Sequence, residues 1–256
     1  LSRLVIDLSH SHVDCVRVAR SLYALSFAGT DLGIPLFRAC FSYLLEDQGN
    51  DGGWTDIEET SWSSAVMYRI AGTDDASFRA AVGWLIKERK PTGGWGRHGR
   101  DRARIPITGL IAALLPDILA DEDVTWLISE WERDFQGLVQ LSYKAGFFLL
   151  AAPKNDANGL ASQTLEHLAE WQNGDGGFGP WKNHPIGSDP WSTGVVLWGL
   201  SRWVHLVDKS VIHRALAWLE GTQLPSGYWP YHYLDDGTSL ALIGAVAAMK
   251  ALASAE

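Results

Sequence analysis

The sequence predicts an all-α protein built as a closed α/α barrel, a toroid of about six inner and five to six outer helices. The first observation behind this is a repeated phrase. Gln48, Gly52 and Trp54 recur as Gln172, Gly176 and Phe178 and as Gln223, Gly227 and Trp229, and Arg89, Gly93 and Trp95 form a variant. Five residues before each glutamine slot stands a ring, Tyr43, Trp84, His167 or Trp218, always followed by leucine. The rings lie 41, 83 and 51 residues apart, and Trp126-Leu127 fills the long gap as a worn copy. A period of roughly 40 residues with a helical stretch on each side of a turn marks helix pairs stacked as an array. The second observation is apolar spacing of three and four along the whole chain, with no convincing strand. The third is that helices after the glycine turns are apolar on all sides, whereas those carrying the ring-leucine pair keep charges, which separates an inner from an outer layer.

Each element follows from its own spacing. Segment 13–27 repeats Val16, Ala19, Tyr23 and Phe27, and 36–47 repeats Phe37, Phe41 and Leu44. Segment 60–70 carries Trp62, Val66 and Ile70, and 76–89 carries Phe78, Ala81 and Leu85. In 107–119 the stripe is Ile107, Leu110 and Leu114; in 124–135 it is Val124, Leu127 and Trp131. Segment 138–151 has Leu141, Ala145 and Phe148, and 160–171 has Ala161, Leu165 and Leu168. The last three segments are 192–207 with Val196, Leu200 and Trp203, 211–222 with Val211, Ala215 and Leu219, and 239–253 with Leu240, Ile243 and Ala247. Thr60 and Asp189 suit helix caps, and Pro190 suits a first helical turn. If every glycine turn links an outer helix to the next inner one, all turns share one mouth. That mouth collects Asp14, Glu58 to Thr60, the loop 97–104, the turn 189–191 and the pair Asp235-Asp236.

Repeats running from end to end make residues 1–256 one domain, with a composition of 46% hydrophobic residues able to fill one core. No run of about 18 uninterrupted apolar residues predicts a transmembrane segment. Cys15 and Cys40 form neither a disulfide framework nor a zinc motif, which fits a reducing cytoplasm, with membrane association as the alternative location. The chain opens at Leu1 without a charged-then-apolar leader, so a signal peptide is expected to be absent or already removed. A net charge of -9 opposes nucleic-acid binding. Against that background the window 87–104 holds seven basic and two acidic residues, a candidate anion site.

The phrase Tyr43-Leu44-x3-Gln48-x3-Gly52-x-Trp54, with its copy Trp218-Leu219-x3-Gln223-x3-Gly227-x-Trp229, resembles the QW motif of the squalene-hopene and oxidosqualene cyclase family. The resemblance covers essentially the whole chain and implies the catalytic barrel of a class II terpene cyclase. Such enzymes start cyclisation with a proton from the aspartate of an Asp-x-Asp-Asp or Asp-Cys motif, and His12-Val13-Asp14-Cys15 stands at the equivalent distance ahead of the first repeat. It implies Asp14 as proton donor, tuned by His12 and Cys15. The chain departs from the motif at His12 and at Val16-Arg17, and the second barrel domain of those enzymes is absent from it. A partner domain or subunit is therefore an expectation.

Protonating a carbon-carbon double bond demands a strong acid, and Asp14 at a helix start gains from the dipole, which stabilises its conjugate base. Trp62, Trp191, Trp198, Tyr231 and Tyr233 fall on inner helices or mouth turns, where ring faces stabilise carbocations. Arg97, Arg100 and Arg104 can fork onto the oxygens of a diphosphate. Asp189 and Asp236 stand at the same mouth as further acids, bases or substrate contacts. The expected reaction is acid-triggered cyclisation or isomerisation of an isoprenoid, free or as a prenyl diphosphate or prenylated small molecule. It needs no cofactor, with magnesium only as a diphosphate counter-ion. No cysteine after Cys40 supports a prenyltransferase zinc site, and neither Asp74-Asp75 nor Asp235-Asp236 has the third acid of a magnesium-dependent synthase. Two alternatives stand: a non-catalytic barrel that binds an isoprenoid or a protein, and a carbohydrate-active α/α barrel drawing its carboxylates from Glu58, Glu59, Asp189 and Asp236.

Overall fold

A computed structural model describes residues 14–31, 33–137, 140–155 and 159–255. Six inner helices, α1 (Cys15–Phe27), α3 (Ile57–Ala71), α5 (Ile105–Leu114), α7 (Ser142–Ala151), α9 (Pro190–Ser201) and α11 (Leu234–Ser254), alternate with five outer ones among the described residues. The outer helices are α2 (Pro35–Glu46), α4 (Ala76–Glu88), α6 (Asp121–Phe135), α8 (Leu160–Trp171) and α10 (Lys209–Thr222). Each inner helix packs on the next, and α11 returns to α1, so the ring closes. Outer helices lean on the inner helix before them, and α6 and α10 also touch the one after. Burial follows the layers: in α9 every residue from Ser192 to Leu200 is buried, whereas α4 buries only Ala81 and Leu85. On length and composition alone α11 could cross a membrane, contrary to the sequence expectation, but here it is a ring member between α9 and α1.

The repeated phrase is a clasp between successive helix pairs. Gln48 Nε2 donates to Gly52 O at 2.8 Å and to Ser77 O, at the head of the next outer helix, at 2.9 Å. Gln172 does the same with Gly176 O and Val211 O. The Trp54, Trp95 and Trp229 indoles donate back to Leu44, Leu85 and Leu219 carbonyls, the leucines that follow each ring. The ring of the next copy then lies on the turn: a Cβ on Gly53 or Gly94 would fall 2.4 Å from Trp84 or 2.7 Å from Trp126. Each backbone contact of this kind contributes about 1 kcal/mol, so the clasps work as a set. A second device escaped the sequence reading. Thr60, Thr108, Thr193 and Thr238 in the inner helices accept the N–H of Trp54, Trp95, Phe178 and Trp229.

Several boundaries differ from expectation: segment 107–119 is α-helical only over Ile105–Leu114, segment 192–207 only over Pro190–Ser201, and two differences bear on the mouth. Asp56, not Thr60, caps α3 by accepting Glu59 N at 2.8 Å, because the Thr60 hydroxyl is taken by the preceding turn. Asp235 and Asp236 lie inside the first turn of α11, where acidic side chains meet the positive helix end.

Inner helices approach through glycines. A Cβ on Gly244 of α11 would stand 2.1 Å from Gly194 O of α9. Gly83, by contrast, is exposed in mid-α4 with nothing within 4 Å of its Cβ position. Gly83→Ala is expected to raise stability by about 0.5–1 kcal/mol by lowering the entropy of the unfolded chain. Urea unfolding checks this, and a lower midpoint would contradict it.

Candidate active site

The amino ends of the six inner helices converge on one mouth, and a continuous arc of charged and aromatic side chains crosses it. On α1, Arg20 is only 7% exposed, although the other buried residues of that helix, from Cys15 to Ala24, are apolar. Its Nη1 lies 2.7 Å from Asp236 Oδ1 of α11 and 3.8 Å from Glu58 Oε1 of α3. Arg17, one turn earlier, holds Asp235 with two hydrogen bonds of 3.0 and 3.1 Å. Trp191 of α9 lies within hydrogen-bonding reach of Asp236 and meets Tyr143 of α7 edge-on at 5.4 Å. Tyr231 completes the arc beside Asp189 and Asp236, seated on Gly237, where a Cβ would fall 2.5 Å from its own Cβ.

Burial dominates the electrostatics. It pushes the carboxyls of Glu58, Asp236 and Asp189 above the ordinary carboxylate range, against Arg20 in the first two cases and the Ser192 hydrogen bonds in the third. It raises the Tyr231 and Tyr143 hydroxyls too. The mouth therefore sets enclosed carboxyls, held above their ordinary range, next to ring faces.

The lumen beneath is filled. Trp62 of α3 and Trp198 of α9 stack across the ring at 6.5 Å, and Tyr23 of α1 meets Trp62 edge-on at 5.4 Å. Tyr23 and Trp198 are eight residues into their helices, about 12 Å below the mouth at the α-helical rise. A ligand can use these rings as a floor, not as the walls of a deep chamber. A groove of about 840 Å³ lies between α1 and α11, lined by Leu25, Trp229, Tyr233 and Leu242, and a hollow of about 320 Å³ adjoins Asp189 and Tyr231.

The remaining predicted site residues fall in different places. Asp14 is exposed, its side chain caps nothing, and neither hollow includes it. Among the described residues, no enclosed wall of the kind expected surrounds it. His12 lies outside the described residues. Cys15 is buried and its thiol donates to Asp47 at 3.1 Å; burial and that carboxylate push it far up, so it is a neutral donor turned away from the arc. Tyr233 is 62% exposed on the outer groove, apart from the lumen rings. Arg97 pairs with Asp56 at 3.1 Å and Arg104 with Asp101 at 3.1 Å, while Arg100 is exposed. Two arginines of the basic loop are thus already engaged by carboxylates, Arg97 by one outside the loop and Arg104 by one within it. Asp189 spends both oxygens on Ser192, and Glu59 spends both on the N–H groups of Val16 and Thr55. Sequence reasoning missed Arg20 and Tyr143. An arginine inside an apolar inner helix was the available signal, since such a charge needs a buried partner.

No protein-family model matches the chain. Over 239 residues it is 28% identical to the drimenyl diphosphate synthase of Streptomyces showdoensis, covering 81% of this chain and 44% of that protein. Over 87 residues it is 29% identical to the squalene-hopene cyclase of Zymomonas mobilis, covering 31% and 13%. The chain thus spans less than half the length of the curated relatives it matches. Its fold superposes on the type II terpene cyclase MstE from Scytonema, solved as a variant with geranylgeranyl dihydroxybenzoate, at a TM-score of 0.72 and 16% identity, covering 94% of this chain and 89% of that one. The architecture is the α/α barrel of the type II terpene cyclases. At 16% identity that likeness is one of fold.

Proposed function

We propose that this barrel performs proton-initiated cyclisation or isomerisation of an isoprenoid at its mouth, with residues 1–256 acting as one catalytic domain. The observation that carries the reading is the arc from Glu58 through Arg20 and Asp236 to Trp191, Tyr143 and Tyr231, which sets enclosed acids beside aromatic faces above the Trp62–Trp198 floor. An acid starts such a reaction and ring quadrupoles lower the energy of the cations that follow. The proton gained at one end is lost at the other, so no cofactor enters, and magnesium would accompany only a diphosphate. A diphosphate here has to displace Asp56 from Arg97 and Asp101 from Arg104. A second domain or subunit over the open mouth would exclude the water that otherwise quenches a cation. The filled lumen favours one competing reading, a barrel that binds an isoprenoid without turnover.

The test is incubation of the full-length protein with squalene and with farnesyl diphosphate, reading cyclised product by mass spectrometry. Product is expected, and Trp191→Ala is expected to lower kcat by about 2- to 30-fold, the loss of one cation–π contact. Probe binding without any cyclised product would establish the binding reading instead.

A further inference from the structure

Neighbouring inner helices meet at six seams, and at five of them an outer helix stands between the two in chain order. The sixth seam, where α11 returns to α1, has no outer helix among the described residues, although the two inner helices pack on each other as the rest do. The groove of about 840 Å³ lies at that seam. Ala24 and Leu25 of α1 and Leu242 of α11 line it, and Trp229 and Tyr233 stand toward its mouth end. Leu234 and Met249 of α11 are exposed as well, so this helix carries apolar side chains on its solvent side as well as toward the ring. An apolar face of this extent on a ring otherwise built in two layers calls for a cover.

The order of the chain indicates what belongs there. Each of α3, α5, α7, α9 and α11 is preceded by an outer helix and a link that opens at the mouth. The stretch that precedes α1 is residues 1–13, and it joins the described chain at Asp14, at the mouth end of the same seam. Its sequence suits an outer element: Leu1, Leu4, Val5 and Leu8 recur at three-four spacing, with Arg3 and Asp7 set between them. Eight residues at the α-helical rise measure about 12 Å. The stretch 9–13 that would follow them is close in length to 136–141, which joins α6 to α7.

We infer that residues 1–13 occupy the α11–α1 groove in the place of a sixth outer helix, seating Leu4, Val5 and Leu8 against Leu25 and Leu242. Removal of apolar surface from water on both sides drives the contact. The Arg17–Asp235 ion pair borders the mouth end of the groove, so Ser9, His10 and Ser11 would arrive among polar groups and the leucines among apolar ones. Contact at the seam and turnover at the mouth are separate observables, so either can fail alone.

The experiment combines Leu4→Cys in the full chain with Leu242→Cys, with Leu25→Cys and, as a control, with Ile86→Cys on the exposed side of α4. Cys15 and Cys40 are buried and do not compete. A disulfide needs Cα atoms within about 7 Å, so mild oxidation is expected to crosslink a groove pair within one molecule at least about tenfold faster than the control. Equal rates in all three pairs, or no crosslink at either groove position, overturn the assignment. Disulfide-linked dimers from the groove pairs, in place of crosslinked monomers, overturn it in favour of a second copy. A further measurement needs no substitution. Thermolysin, which cuts before leucine, isoleucine and valine, is expected to spare the bonds before Leu4, Val5 and Ile6 in buffer and to cut them in urea. Early loss of those residues in buffer from an otherwise intact protein overturns the assignment whatever the crosslinks show.

Discussion

Asp123→Ala is expected to destabilise the barrel by about 3–5 kcal/mol, the range for removing one partner of a buried ion pair. Asp123 is fully buried in the first turn of α6 and lies 3.1 Å from Arg89 Nε. Its oxygens also accept Gly94 N at 2.7 Å and Ala120 N at 2.9 Å. Arg89 occupies the slot that glutamine fills in the other clasps, and it bonds the Ile118 carbonyl as Gln48 bonds that of Ser77. Putting a cation there required an anion opposite, and Asp123 supplies it. Truncation leaves a half-buried guanidinium and two backbone donors unmatched. Adding Arg89→Gln to Asp123→Ala is expected to cost less than the sum of the single changes, since the stranded charge is then gone. Chemical denaturation of the four proteins measures this. A loss below about 1 kcal/mol for Asp123→Ala would mean that the pair is no better than a surface one.

Gly244→Ala is expected to cost about 3 kcal/mol, at the upper end of what overpacking a tight interface does. The added carbon would stand 2.1 Å from the carbonyl oxygen of Gly194 and within 2.8 Å of its Cα, so backbone rather than a movable side chain must yield. The melting temperature is expected to fall by about 6–12 °C. The same shift would part α9 from α11, which carry Trp191 and Asp236, so turnover should fall further than stability alone explains. An unchanged melting temperature would show that the two helices can slide apart at no cost.

Much of this architecture was legible along the chain because the repeat encodes contacts between neighbouring helix pairs. Gln48, Trp84 and Trp126 bond or cover groups of the neighbouring pair, so sequence period and spatial period coincide. Apolarity on every side correctly assigned the inner layer, and Asp189 before Pro190 announced the cap of α9. The site was less legible. Asp236 and Trp191 were noticed as members of a common mouth, but Arg20, which ties Asp236 to Glu58, was not. These groups come from α1, α3, α9 and α11, and no local pattern specifies which side chains meet where the last helix closes on the first.

The sequence by itself determined the helix pairs, their layering and the shared mouth, because each depends on interactions within one period or on the polarity of one helix face. Only the tertiary structure decided that Asp14 faces water, that Trp62 and Trp198 meet across the lumen, and that Asp236 lies between a buried arginine and an aromatic pair. Those facts arise from ring closure, which fixes how far each helix turns about its own axis and therefore which of its residues look inward.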